Sequence, residues 1–236
     1  TLRRVLSALC LRTLEDAFAA WVGSLQKAIH GVVAIDGKTL RGSKLDANGD
    51  GALHVVSAYA HQAGLVLAQR AVEGKSNEIT AIPDVLDMLE INGAIITIDA
   101  IGTQKSIAAK IIAKKADYLL ALKANQKALH DDVVEFFSDP ELTVACPQFD
   151  DTSFGHGRIE HRTCRVATTK DWLVERHPQW QNLHSIAEVT VQRTNKKKGT
   201  LLPNTVLHIF SRARSGDYSG GEPISLECRK QCPLAA

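Results

Sequence analysis

Neither sign of charge dominates this sequence: 28 Lys and Arg stand against 26 Asp and Glu, a net +2 over 236 residues. That balance excludes a uniformly basic coat for nucleic acid, so any surface for a polyanion has to be local. Long apolar runs are missing too. No stretch approaches the roughly 18 residues of a membrane span, and no basic-then-apolar leader opens the chain, so a soluble, unsecreted protein with no membrane partner is expected. Cysteine is sparse, and Cys10, Cys146, Cys164, Cys228 and Cys232 are scattered except for the last two. A chain of this length has no need of a disulfide framework, and Cys228 with Cys232 lacks a second Cys/His pair to complete a tetrahedral zinc site. A reducing cytoplasm fits that usage. There is no internal repeat, and the one low-complexity stretch is Lys196–Lys198. The chain opens on Thr1 rather than methionine, so a segment cut from a longer reading frame is expected.

What is present is enough apolar sequence, 44%, for one sizeable core with an inserted or appended subdomain. From Leu2 to Leu25 apolar residues recur at helical spacing (Val5, Leu9, Leu14, Phe18, Trp21, Val22), which predicts one or two packing helices. VVAIDG, ALHVVSAYA and LVLAQRAV follow, the first closing on Gly37 and the last two separated by the turn-forming His61–Gly64, and predict a three-stranded meander. NEITAIPDVLDMLE predicts a helix capped by Ser76 or Asn77, with Pro83 in its early part. Strand and helix then alternate through GAIITIDA, QKSIAAKIIAKK, DYLLALK and KALHDDVVEFFSD.

Parallel neighbours need helical crossovers, so this order predicts an α/β fold whose mixed sheet is flanked by helices, the order of the ribonuclease-H-like fold. Beyond Pro140 the pattern turns to RIEHRTCRVA, SIAEVTVQR and NTVLHIFSR, alternating at strand lengths with a basic hairpin at Asn195–Gly199. The expected organisation is an N-terminal helical segment (1–30), a core (31–140), a β-rich insertion (141–212) and a tail (213–236) without regular structure.

Asp36 and Asp99 each close an apolar run behind an isoleucine. In an α/β sheet, side chains at carboxyl ends of strands face the ligand crevice, and two carboxylates meeting there repel unless a cation bridges them. Hard oxygen ligands without histidine suit Mg²⁺ or Mn²⁺, and a pair of such ions supports phosphodiester cleavage. The plain alternative is that each aspartate caps a turn. Lys38, Thr39, Arg41 and Ser43 follow Asp36; Gln104 and Lys105 follow Asp99; Lys123, Asn125 and Gln126 follow the next strand. Such side chains grip phosphates and base edges, or are ordinary solvated loop residues.

AIDGKTLRGS, KSNEITAIP, AIITIDAIGTQKSIA, DYLLALKANQ and GHGRIEHR, in this order, resemble the H-repeat-associated branch of insertion-sequence transposases, a DDE family with a ribonuclease-H-like fold. The resemblance runs from about Val32 to about Arg193. It implies a metal-dependent enzyme that nicks double-stranded DNA at transposon ends and joins the freed 3′-hydroxyl to target DNA, acting as a homodimer on DNA in the bacterial cytoplasm and nucleoid. Asp36 and Asp99 match the first two carboxylates. The third is expected on a late helix within a segment similar to HWxIENxLHW, which this sequence lacks. Glu160 is the one motif-borne glutamate downstream of Asp99 and stands as the catalytic candidate, although it opens the β-rich insertion, where His156, Arg158 and Arg162 look like DNA contacts. The tail departs from the family pattern where a strand resembling YYISSL belongs, and a frameshift near Lys198 is expected. Two other readings stay open: a DNA-binding fragment without catalysis, and another nuclease of the same fold.

Overall fold

The protein is described by a computed structural model covering residues 4–5, 8–25, 31–40, 53–72, 78–155, 158–168, 171–195 and 199–211. Arg41, Ser43, the Ser76/Asn77 cap, His156, Lys196–Lys198 and the tail with Cys228 and Cys232 lie outside the described residues. The chain divides into two compact units, Thr1–Tyr118 and Leu119–Ala236.

The first unit carries α1 (Leu11–Leu25), β1 (Val32–Thr39), β2 (His54–Ala60), β3 (Leu65–Val72), α2 (Glu78–Asp87), β4 (Ile95–Ile98) and α3 (Lys105–Ala113). Its strand order is β3-β2-β1-β4. The two hairpins are antiparallel, whereas β1 and β4 run parallel, as the helical crossover α2 requires. Val33, Ile35, Ile96 and Ile98 fill the sheet interior, with Val85 and Leu86 of α2 and Ile107 and Ile111 of α3 buried as well. Ile107 and Ile111 are one helical turn apart, so both fall on one face, and each such burial stabilises by roughly 2 kcal/mol. Pro83 lies inside α2, which continues to Asp87 with Val85 and Leu86 in the core. α1 departs from the expected packing element: Ala19 and Val22 are buried, but Leu9, Leu14 and Trp21 of the apolar stripe are exposed. Arg70 on β3 ties α1 down through Glu15, 3.0 Å away, and Asp16, 3.1 Å away.

The second unit carries β5 (Asp117–Leu122, which begins in the first), a 3-10 turn (Ala124–Gln126), α4 (Lys127–Ser138), α5 (Pro140–Thr143), β6 (Gln148–Gly155), β7 (Arg158–Thr168), α6 (Asp171–Arg176), β8 (Leu183–Asn195), β9 (Gly199–Thr200) and β10 (Asn204–Ser211). The order is β5-β10-β8-β7-β6, antiparallel throughout. Mixed strands with flanking helices followed by a β-rich portion make this an α/β fold of the expected ribonuclease-H-like class. β6 and α6 have no counterpart in the sequence expectation. QFDDTSFG is half polar and buries none of its residues fully, so its strand form comes from pairing with β7 rather than from an apolar face. The α6 helix has six residues and one buried anchor, Leu173, too short for a period to show.

Candidate active site

Pairing of β1 with β4 runs in register from Val32↔Ile95 to Ile35↔Ile98. One step further on that register stand Asp36 and Asp99. Neighbouring strands lie about 4.8 Å apart and in-register residues of parallel strands point to the same face, so the register, continued one residue past the end of β4 at Ile98, would bring the two positions side by side. Both are exposed. Asp36 does not end its strand as expected. β1 continues to Thr39 because β2 keeps pairing with it, through Thr39↔His54, after β4 has departed. Asp36 therefore marks the point where β1 loses one neighbour.

Asp99 also does what the plain alternative foresaw. Its Oδ1 accepts the backbone N–H groups of Ile101, at 3.1 Å, and Gly102, at 3.3 Å, while Thr103 Oγ1 donates to its carbonyl at 3.1 Å. These bonds fix the turn that leads to α3 through Oδ1. Capping and ligation are thus not exclusive roles for this residue. Lys38, two residues beyond Asp36 on the strand, shares its face and is exposed.

Behind each aspartate sits a glycine with no room for a side chain. A Cβ on Gly37 would lie 2.4 Å from Glu78 Oε1 and 2.8 Å from His54 Nε2; one on Gly102 would lie 2.3 Å from Ile98 Cγ2. The groups packed on Gly37 are unusual for a core. His54 and Glu78 are 2% and 4% exposed, with Nε2 2.5 Å from Oε1, and Thr39 Oγ1 lies 2.9 Å from His54 Nδ1. The His54–Glu78 approach is a close polar contact rather than an aligned hydrogen bond. Alternation along β1 puts Thr39 and the buried His54–Glu78 pair it contacts on the face opposite Asp36, against the strand that carries it. Glu78 opens α2, where the helix dipole favours its charge. Sequence reasoning singled out Thr39 as a solvent-side candidate and Gly37 as a turn, and missed His54 and Glu78, although Glu78 lies in KSNEITAIP.

Gln104 occupies the N-cap position of α3 and donates from Nε2 to the Ile101 carbonyl at 3.2 Å; Lys105 is exposed on the first turn. No group of three or more His, Cys, Asp or Glu side chains able to hold a metal occurs among the described residues. The pair Asp36 and Asp99 supplies an all-oxygen donor set that fits a hard divalent cation in kind, but only part of a full coordination shell.

In the second unit, Lys123 and Asn125 are exposed and Gln126 half-buried around the 3-10 turn between β5 and α4. Glu160, on β7, is 4% exposed and surrounded by arginines. Arg158 Nε lies 2.9 Å from Oε1, Arg193 Nε donates to Oε1 at 3.0 Å, and Arg162 Nη2 donates to Oε2. Both oxygens of Glu160 are taken.

Residues 27–216 match the model of the transposase DDE domain. The chain belongs to this DDE transposase family. The DDE chain is 40% identical to an uncharacterized protein from the dhlA 3′ region of Xanthobacter autotrophicus, over 82% of its own length and 65% of that protein. It is 39% identical to the "H repeat-associated putative transposase YhhI" of Escherichia coli, over 79% of its length and 50% of that protein. The chain thus spans between half and two thirds of the length of these curated relatives. Among solved structures, a piggyBac transposase synaptic complex with hairpin DNA aligns at a TM-score of 0.37 and 10% identity, covering 85% of this chain and 37% of that one. No helix among the described residues is long and apolar enough to cross a membrane.

Proposed function

We propose that this chain is the core of a DNA transposase that cleaves strands at transposon ends and joins them to target DNA by phosphoryl transfer, with Asp36 and Asp99 holding Mg²⁺ or Mn²⁺. One observation supports this above the others: the parallel β1–β4 register runs to Ile35↔Ile98, the residues immediately before the two aspartates. A divalent ion bound there would activate the attacking oxygen and stabilise the leaving one. The chain's own part is to present two carboxylates at fixed spacing, hold the Asp99 turn rigid through the Ile101 and Gly102 amides, and close-pack Gly37 and Gly102 behind them.

Double-stranded DNA is the partner this reading requires, contacted by Lys38, Arg41, Gln104 and Lys105 around the aspartates and by Lys123, Asn125, Gln126, His156, Arg158 and Arg162 elsewhere. The protein works as a homodimer on DNA, in the bacterial cytoplasm at the nucleoid. Glu160 takes no metal in this reading. A carboxylate already saturated by three guanidiniums has no charge left to offer a cation. A second reading, DNA binding without cleavage, is favoured by the lack of a third carboxylate beside Asp36 and Asp99 among the described residues.

Incubating the chain with a plasmid bearing the element's terminal repeats, plus Mg²⁺ or Mn²⁺, separates the two. End-specific nicking supports the first. Binding without nicking, together with no Mn²⁺ binding by titration calorimetry, overturns it in favour of the second.

A further inference from the structure

The arginines around Glu160 belong to the β-rich portion and play no part in the aspartate pair. We infer that Arg158, Arg162 and Arg193 form a sequence-neutral grip for the phosphate backbone of duplex DNA, and that Glu160 is the positioning residue that holds the three guanidiniums in place. The inference rests on DNA being the substrate and adds a contact, Arg193, that no motif marked.

Strand register builds the cluster. Arg158 and Arg162 flank Glu160 at two residues' distance on β7, so all three leave the same face. Arg193 of β8 is directly opposite Glu160, and Ser153 of β6 is opposite it on the other side. Arg162 also donates from Nη1 to Ser153 Oγ at 2.9 Å. Charge is what sets this network apart. Three guanidiniums share one buried carboxylate, and the next acid, Asp151, reaches only Arg162, at 3.7 Å. Among the described residues these three guanidiniums form ion pairs with two carboxylates, those of Glu160 and Asp151. Further along the same two strands, Arg165 meets Glu188 one to one, the balance expected of a pair that only ties strands together.

Surplus guanidinium charge around a filled carboxylate is stabilised by a further anion. The three arginine side chains are 36%, 21% and 27% exposed, so each is anchored inside yet reachable from solvent. A phosphodiester offers two non-bridging oxygens that match the guanidinium fork, and arginines fixed in advance lose little freedom on engaging it. Contacts of this kind position DNA without reading its bases.

The test uses the whole chain, a duplex of about 30 base pairs of arbitrary sequence, and EDTA to remove metal, with affinity followed between about 50 and 200 mM salt. Arg193→Gln is expected to weaken binding roughly fivefold and to make the log–log salt slope shallower by about 1. Arg193→Lys keeps the charge but loses the fork, and is expected to fall between the two. Glu160→Gln is expected to weaken binding even though it removes a negative charge from a protein meeting a polyanion. Circular dichroism and melting establish that each variant is folded. Wild-type affinity and slope in Arg193→Gln, or full affinity in Arg193→Lys, overturns the grip. Tighter binding by folded Glu160→Gln overturns its positioning role, and if that variant does not fold, the two Arg193 variants decide. A wild-type chain that binds no duplex at any salt overturns the DNA reading itself, and the grip with it.

Discussion

Asp36 and Asp99 stand exposed one residue beyond the last β1–β4 pair, Ile35↔Ile98, while Glu160 is buried beneath three guanidiniums. The first region sets two carboxylates one residue beyond paired strand positions, the second sets three guanidiniums around one carboxylate, and in the reading proposed above the first would take a divalent ion and the second a phosphate. The comparison teaches that an acidic residue inside a family motif carries no role by itself. A glutamate downstream of two aligned aspartates invites completion of a metal triad, and the partners around it decide otherwise.

The strongest way to break the comparison is to neutralise one acid from each region. Asp36→Asn and Asp99→Asn are each expected to lower metal-dependent nicking by about a hundredfold or more, with DNA binding unchanged or tighter because a carboxylate facing phosphate is gone. Each should also abolish Mn²⁺ binding, whereas Glu160→Gln should leave it intact. Mn²⁺ binding lost with Glu160 and kept without Asp36 would reverse the assignment.

Charge is tolerated at the aspartates by exposure to solvent and at Glu160 by its arginines, and His208 shows the opposite case. Complete burial in β10 pushes its pKa down to about 4, with desolvation the leading cause and a backbone hydrogen bond to Val206 opposing it. Between pH 6.5, the ordinary value, and about 4, the unfolded chain takes up a proton that the folded chain refuses. Stability is therefore full above the upper value and falls as pH drops through this window, by up to roughly 3 kcal/mol. Urea midpoints at neutral pH and near the lower end measure that loss, and His208→Leu should flatten the dependence. An equally steep profile in the variant would assign the loss to other groups.

Much of this was legible along the chain. The β-branched run through Ile35 and the run through Ile98 gave both strands of the aspartate pair, and α3 follows from Ile107 and Ile111 at one-turn spacing. What stayed hidden depends on partners distant in sequence. His54 meets Thr39 across 15 residues, and Arg193 meets Glu160 across 33, so no local period encodes either contact. Gly37 reads as a turn residue because a glycine after a hydrophobic strand usually is one. Its actual constraint, the buried His54–Glu78 pair against its backbone, appears only when β2 and α2 are folded onto β1. Gly37→Ala is accordingly expected to cost about 1–3 kcal/mol of stability, read as a lower melting temperature, through overpacking rather than through backbone angles. If it melts with the wild type, the pair has room to move, and its close packing does not fix the strand under Asp36.

The finest version of the comparison sets Asp99 beside Asp139. Asp139 Oδ1 accepts the N–H groups of Glu141, at 2.8 Å, and Leu142, at 3.4 Å, two and three residues on, the same pattern by which Asp99 holds Ile101 and Gly102. Local hydrogen bonding cannot distinguish a plain cap from a candidate metal ligand. The difference lies in the setting, because Asp99 follows Ile98, the last β4 residue paired with β1, while Asp139 precedes Pro140 at the start of the four-residue α5. Asp139→Ala should therefore cost about 1 kcal/mol, the usual loss for an N-cap, with nicking and Mn²⁺ binding untouched. A fall in Mn²⁺ affinity there, comparable to that of Asp99→Ala, would mean that capping rigidity rather than carboxylate pairing governs metal binding, and the register argument for Asp36 and Asp99 would lose its force.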